Sequence, residues 1–304
     1  MTYLKYSSLL IGLVLTVLFF VGRYQTTKVE PIKSALVPFS AHSAFLETRS
    51  GRVHYLDQGE GDVLILLHGT GYNLATWQDG IARLLAENYR VIAIDYYGHG
   101  LSDRNHGFQY GQELWAQQAI DVMDALEIEK ASFIGHSIGG MVVSRIAVRF
   151  PDRTNKIVLL GTGIAMDPMQ YGPVIPGLGE YIMANTKMFS PAFSAHQQYA
   201  LERSYELAGT RNSILIYLRR QYSIDGLTLL HGTFENFSVP ALHIHGTEDE
   251  SIPWSAGRKL SKRTGGVFQL VENAGHYAHI EKPAEVAEII QSFIIDEQQL
   301  AHSD

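Results

Sequence analysis

The chain of 304 residues contains no cysteine. That absence excludes disulfides, thiolate catalysis, cysteine-ligated metal sites and lipidation on cysteine. It is compatible with an oxidising compartment without requiring one. Cations are also scarce: 24 Lys and Arg stand against 31 Asp and Glu, a formal net charge of −7. No basic patch interleaved with aromatics occurs, so nucleic acid is not an expected partner. Internal repeats, low-complexity tracts and a second composition regime are all missing, which argues against a tandem second domain. What remains is 46% hydrophobic and 18% charged, enough apolar residue to bury one large core.

The N-terminus differs in kind from the rest. From Leu9 to Gly22 the sequence reads LLIGLVLTVLFFVG, and the uncharged stretch between Lys5 and Arg23 is at the short edge of what spans a bilayer. No small-x-small cleavage site follows, so residues 1–23 are expected to be an uncleaved single-pass membrane anchor, with a cleaved signal peptide as the alternative. Lys5 lies on one side and Arg23, Lys28 and Lys33 on the other. That charge bias leaves the orientation open, an extracytoplasmic body being the favoured reading. Residues 24–42, with Pro31 and Pro38, read as a polar linker to the body, and residues 298–304 as a short tail.

Along the body, Ala44–Thr48 and Arg52–Leu56 alternate around Ser50-Gly51, the pattern of an antiparallel hairpin. Continuous apolar runs at Val63–Leu67, Val91–Ile94, Ala131–Ile134, Ile157–Leu160 and Ala241–Ile244 predict strands buried on both faces. Helical spacing spans Leu74–Glu87, Gln112–Leu126, Met141–Arg149, Ser255–Lys262 and Ala284–Phe293. Strands alternating with helices imply an α/β fold with a mostly parallel sheet flanked by helices. The alternation breaks over 163–239. That stretch is punctuated by Pro168, Pro173, Pro176 and Pro191, and is soft and aromatic with Met166, Met169, Tyr171, Tyr181, Met183, Met188, Phe189 and Phe193. It reads as a helical insertion dividing the body into 43–162 and 240–297.

Three strand ends carry chemistry. Gly135-His136-Ser137-Ile138-Gly139-Gly140 puts a serine between glycines at a strand-to-helix turn, where a strained backbone would expose its Oγ as a nucleophile. Asp249 follows the strand at Ala241–Ile244. Glu248 and Glu250 compete with it, and its place between Gly246 and Pro253 favours Asp249 as the acid. His276 follows the last strand, Val267–Val271, with Gly275 before it, and is the expected base; His279 is assigned to packing. The turn His68-Gly69-Thr70-Gly71 after Val63–Leu67 turns backbone N–H groups into the crevice, so Thr70 and Ile138 are the expected oxyanion donors. No metal site is suggested by His243 and His245, two apart on one strand; His68 and His99 are read as structural.

The chain order Ser137, Asp249, His276 resembles the α/β-hydrolase superfamily over residues 43–297. HGTG (68–71), DYYGHGLSD (95–103), GHSIGG (135–140), HGTEDESIP (245–253) and NAGHYAHIEKP (273–283) carry the likeness. The resemblance implies an α/β-hydrolase fold whose insertion, 163–239, is a helical cap, and a serine hydrolase needing no cofactor. Serine at position 137 disfavours the aspartyl-nucleophile activities of the superfamily. The expected activity is carboxylic ester cleavage, lipase- or monoacylglycerol-esterase-like, on a small-molecule ester or lipid-like substrate. Tyr72, Trp77 and Tyr277 are candidate substrate-binding residues. A lactonase, thioesterase or C–C hydrolase, and a non-catalytic binding protein on the same fold, are the alternatives.

Overall fold

The computed structural model describes residues 10–21, 42–105, 107–163, 175, 178–185, 190–207, 209–221 and 237–295. The linker up to 41, the tail, Met166, Met169, Tyr171, Met188, Phe189 and the Met183 side chain lie outside the described residues.

Eight strands form one sheet: β1 Ser43–Glu47, β2 Arg52–Gln58, β3 Val63–Leu67, β4 Arg90–Ile94, β5 Ala131–His136, β6 Thr154–Leu160, β7 Ala241–Gly246 and β8 Val267–Val271. Their spatial order is β1-β2-β4-β3-β5-β6-β7-β8. β1 and β2 pair antiparallel, with Glu47 opposite Arg52, and β2 runs antiparallel to β4. Every other neighbouring pair is parallel.

The apolar runs became central strands because both faces of the sheet are covered. Ile65, Leu67, Ile92, Ile94, Phe133, Ile157 and Leu159 meet Trp115, Val142, Val143 and Ile146 on one side. The alternate residues Leu64, Leu66, Val91, Ala93, Ile134, Val158 and Leu160 meet Trp77, Ile81, Leu85, Val286 and Ile290 on the other. This is the period of two expected of a pleated strand, with both phases apolar.

Two short helices follow β3, α2 Ala75–Gln78 and α3 Ile81–Leu85, where one continuous helix was expected over Leu74–Glu87. The break falls at Asp79-Gly80. Gly80 takes a non-helical backbone, and the Asp79 carboxylate accepts hydrogen bonds from Ser194 Oγ (3.1 Å) and His196 Nδ1 (2.9 Å). A tertiary tie thus overrides local helical spacing. Helices α4 Gln112–Ala125 and α5 Ile138–Arg149 cover the first face. α6 Leu178–Asn185, α7 Ala195–Glu206 and α8 Thr210–Gln221 lie between β6 and β7, inside the expected insertion. α9 Trp254–Thr264, α10 Ala278–Glu281 and α11 Pro283–Ile295 complete the chain. α7 opens on a reciprocal cap, Ser194 Oγ accepting from Gln197 N while Gln197 Oε1 accepts from Ser194 N.

The expected membrane anchor is corrected. No described helix is long and apolar enough to cross a membrane. The described part of the N-terminal helix α1 is residues 10–21, fewer than the roughly 20 apolar residues that a crossing helix needs. The membrane localisation and membrane partner that rested on it fall with it.

One buried carboxylate ties the loops on the crevice side. Asp95, at the end of β4, accepts from His54 Nδ1 (2.7 Å), Leu74 N (2.7 Å) and Leu101 N (2.8 Å). Its backbone carbonyl accepts from Ser102 Oγ (2.6 Å) and Gln118 Nε2 (2.9 Å). A Cβ on Gly100 would stand 1.8 Å from its Oδ2, so only glycine fits there. Asp95→Ala leaves several buried donors unsatisfied and is expected to destabilise the fold by about 3 kcal/mol or more. Urea unfolding followed by circular dichroism measures this; a loss under about 1 kcal/mol would show the network to be dispensable.

Candidate active site

Ser137 joins β5 to α5 with φ +54° and ψ −114°, a left-handed backbone that costs free energy for a residue carrying a Cβ. The surrounding close packing holds it there. A Cβ on Gly135 would lie 2.1 Å from Gly139 O; on Gly139, 2.1 Å from Leu67 O; on Gly140, 2.0 Å from Thr162 Oγ1. Ser137 N donates to Leu160 O (2.8 Å), and Thr162 Oγ1 donates to Ser137 O (3.0 Å). Helix α5 therefore starts hard against the ends of β3 and β6, and Ile138 opens its first turn.

His276 arrives from the loop after β8. An added Cβ on Gly161, directly after the Leu160 that binds Ser137 N, would meet His276 Nδ1 at 3.2 Å. The His276 and Ser137 loops thus converge on the end of β6. His276 Nδ1 bonds Asp249 Oδ2 at 2.8 Å. Of the three adjacent acidic residues only Asp249 is buried, while Glu248 and Glu250 are exposed. The His276 loop is pinned by Glu281, which accepts from Gly275 N (2.8 Å) and Tyr277 N (3.3 Å).

Asp249 is held from several directions. Oδ1 accepts from Ser251 N (2.9 Å) and Ile252 N (2.8 Å). A second imidazole, His245 from β7, lies 3.2 Å from Oδ2 through Nε2, the same atom that donates to Ile252 O at 2.9 Å. That imidazole fits because α9 passes it at Gly257, where a Cβ would lie 2.4 Å from His245 Nδ1. Burial alone would raise the Asp249 carboxyl, but the bonds to His245 and His276 outweigh it and hold it well below the usual carboxylate range. Sequence reasoning weighed His245 only as a metal ligand. Its spacing of four from Asp249 was the available signal.

At the end of β3, Tyr72 N donates to Gly69 O (3.3 Å), closing a turn with Thr70 and Gly71 at its centre; Gly71 has φ +78°. His68 fixes this turn. Its Nε2 accepts from Tyr96 N (3.2 Å), so Nδ1 carries the proton and donates to Gly69 O (2.8 Å). Burial pushes His68 down to about 4, so it stays neutral. His136, unnoticed in the sequence although it precedes Ser137, donates through Nε2 to His276 O at 2.9 Å. Its ring also lies under the turn, 2.9 Å from where a Cβ on Gly69 would stand.

Tyr72 and Tyr277 hydrogen-bond each other through their hydroxyls, with Phe193, Leu201 and Ile280 beside them. Trp77 lies elsewhere. Its ring is fully buried on His279, 4.6 Å between centroids, in the core layer of Ile81 and Val286. The structure brings Ser137, Asp249, His276, the 68–72 turn, Tyr72 and Tyr277 together and leaves Trp77 in the core.

A mostly parallel sheet flanked by helices, with Ser137, Asp249 and His276 on the turns after β5, β7 and β8, defines an α/β protein. The chain belongs to the alpha/beta hydrolase family, whose sequence profile matches residues 64–289. It is similar to the 2-hydroxymuconate semialdehyde hydrolase of Pseudomonas sp. (strain CF600), 29% identical over 271 residues, covering 83% of this chain and 93% of that one. Among solved structures it shares the fold of a meta-cleavage product hydrolase from Pseudomonas fluorescens IP01, with TM-score 0.66 and 24% identity, covering 82% of this chain and 96% of that one. A membrane phospholipase A described as a bacterial virulence factor matches with TM-score 0.66 and 23% identity, over 96% of this chain and 97% of that one.

A depressed carboxyl contributes stability that is present above the unfolded value, near pH 4, and lost as pH falls through the folded value. His245→Ala shrinks the depression of Asp249. The stability gap between wild type and this variant is therefore expected to be full at pH 5–7 and to narrow below about pH 4. Urea unfolding across that range reads it; a gap independent of pH would mean that His245 acts through packing alone.

Proposed function

We propose that the protein is a serine hydrolase that cleaves carboxylic esters through an acyl-enzyme on Ser137. The observation that carries this reading is a serine held at φ +54° on a strand–helix junction, whose neighbour His136 bonds the backbone of His276, an imidazole with its Nδ1 committed to a buried carboxylate at 2.8 Å. With Nδ1 engaged, Nε2 of His276 is the nitrogen left to take the Ser137 proton as Oγ attacks the ester carbonyl. Asp249 holds that tautomer and stabilises the imidazolium. The N–H groups of Thr70 and Ile138 bind the tetrahedral oxyanion, each worth roughly 3 kcal/mol. As the C–O bond breaks, the imidazolium returns its proton to the leaving alkoxide. Water then gives its proton to His276 and its hydroxide to the acyl carbon, and Ser137 leaves with the proton restored. Residues 163–239 serve as the cap that shapes the acyl pocket, with Phe193 and Leu201 beside Tyr72 and Tyr277.

A second reading is hydrolysis of a carbon–carbon bond next to a carbonyl, favoured by the names of the 2-hydroxymuconate semialdehyde and 2-hydroxy-6-oxo-2,4-heptadienoate hydrolases that the chain resembles at 29% and 26% identity. Against it stand the carboxylates Asp249 and Glu281, which act on Tyr277 at the pocket wall and disfavour a further anionic substrate there.

The chemistry is tested by labelling with a fluorophosphonate probe and by hydrolysis of p-nitrophenyl esters, monoacylglycerols, lactones, thioesters and 2-hydroxy-6-oxo-dienoates. Wild type is expected to label and to turn over esters fastest, with Ser137→Ala losing at least about 10³-fold in kcat. Preferred turnover of the dienoates selects the second reading. A folded wild type that neither labels nor hydrolyses any of these would make the chain a binding protein.

A further inference from the structure

The wall of the candidate pocket carries more hydrogen-bond donors than acceptors. Tyr72 leaves the 68–72 turn and Tyr277 follows His276, its ring 5.2 Å from the imidazole. Their rings meet edge to face, 5.7 Å between centroids, and their hydroxyls share one hydrogen bond. Phe193 packs edge-on to both, at 5.5 and 5.2 Å. A third phenol comes from α7: Tyr205 lies one helical turn after Leu201 and is buried, and its hydroxyl has no hydrogen-bond partner among the described residues. It acts electrostatically on Tyr72, and Tyr277 acts on it.

The protons can be counted. Burial raises all three phenols above their ordinary range, so each keeps its proton at neutral pH. Two hydroxyls bonded to each other use one proton between them and leave one to donate; Tyr205 adds a second. Phe193, Leu201 and Ile280 beside them offer no side-chain acceptor. A buried O–H without an acceptor is costly, and an incoming ligand oxygen removes that cost.

We propose that Tyr72, Tyr277 and Tyr205 form a donor subsite for a neutral oxygen of the substrate other than the reacting carbonyl. The substrate class is accordingly a carbonyl compound bearing a second keto, ester or ether oxygen, rather than a plain hydrocarbon acyl chain. Neutrality follows from the carboxylates acting on Tyr277, Asp249 and Glu281, which disfavour an anion at that hydroxyl. Arg211, stacked over the Tyr205 ring at 4.9 Å, is a cation on the same phenol cluster, so an anionic arm belongs in the test. The subsite rests on the reading of Ser137 as the nucleophile only for the identity of the reacting carbonyl.

Matched p-nitrophenyl esters of equal chain length test it: a plain acyl chain, a series with one keto or ether oxygen moved along the chain, and one ending in a carboxylate. At least one neutral oxygenated ester is expected to exceed the plain one about 10-fold in kcat/KM, mostly through KM. Tyr72→Phe, Tyr277→Phe and Tyr205→Phe should each cut that ratio several-fold, with thermal melting and fluorophosphonate labelling confirming that fold and Ser137 persist. Calorimetric binding of a diketone and the matched monoketone to Ser137→Ala repeats the comparison without turnover. The subsite is overturned if neutral oxygen brings no preference, if all three Phe variants keep it, or if the carboxylate ester is preferred. A wild type that fails to label or hydrolyse, yet shows the diketone preference lost in the Phe variants, keeps the subsite and removes the hydrolase reading.

Discussion

The approach of helix α5 to the ends of β3 and β6 sets the geometry on which the rest of the site depends. Backbone meets backbone there with no room for a Cβ at Gly135, Gly139 or Gly140. The chain must turn from strand to helix within one residue, and that residue takes the left-handed conformation of Ser137. The strain is local and the compensation is spread out: Leu160 and Thr162 hold the Ser137 backbone, and apolar cover on both sheet faces holds α5 in place. The same approach sets the first turn of α5 against the end of β3, from which the 68–72 turn leaves.

Around that turn buried imidazoles tie the loops together alongside the buried Asp95 and Asp249 carboxylates. His68 reads one backbone N–H and one carbonyl and so fixes the 68–72 turn. His136 ties the same turn to the His276 backbone, and His245 ties β7 to Asp249. Burial pushes His68 and His136 down, and the neighbouring His279 down to about 3. The His68, His136 and His279 rings therefore stay neutral across the ordinary pH range, so the contacts of His68 and His136 do not change with pH. Asp249, held well below the carboxylate range, is the charge that this scaffold protects.

The strands were legible because double-sided burial writes itself as unbroken apolar runs; β3 and β8 fall on the residues read from the sequence, β1 is shifted by one residue, and the others extend one to three residues past their readings. The placement of Ser137, Asp249 and His276 after β5, β7 and β8 was legible because each follows an apolar run with a glycine nearby. What escaped notice was decided by tertiary contacts. The split of α2 from α3 needs the Asp79 contacts with Ser194 and His196, more than a hundred residues away. His136 stands in a motif that was read, yet its partner, the His276 carbonyl, lies on another loop; the partners of His245 lie in its own motif, where the spacing of four to Asp249 went unread. Trp77 has an aromatic pocket residue's composition and a core residue's position, and only packing tells the two apart. The N-terminal run was read as an anchor from hydropathy, and no described helix is long and apolar enough to cross a membrane.

The ties between the insertion and the body fall on the loops that carry the site. Asn73 Nδ2 donates to Ala200 O (3.1 Å), and Asp79 holds the start of α7, both a few residues beyond Thr70. On the other flank Arg104 reaches Thr210 Oγ1 at 2.8 Å, and Ser213 Oγ donates to Gly98 O at 2.6 Å, within the segment that Asp95 organises. Arg104 also binds Gly100 O and Ser102 O, so its buried guanidinium joins loop to helix with every contact an acceptor. These contacts are directional, unlike an apolar seam that can slide. A shift of α7 or α8 therefore pulls on the chain beside the 68–72 turn and on the Asp95 network together. The placement of α7 and that of the 68–72 turn are then not independent quantities in this protein: a helix of the insertion is bonded to the loop that carries Thr70.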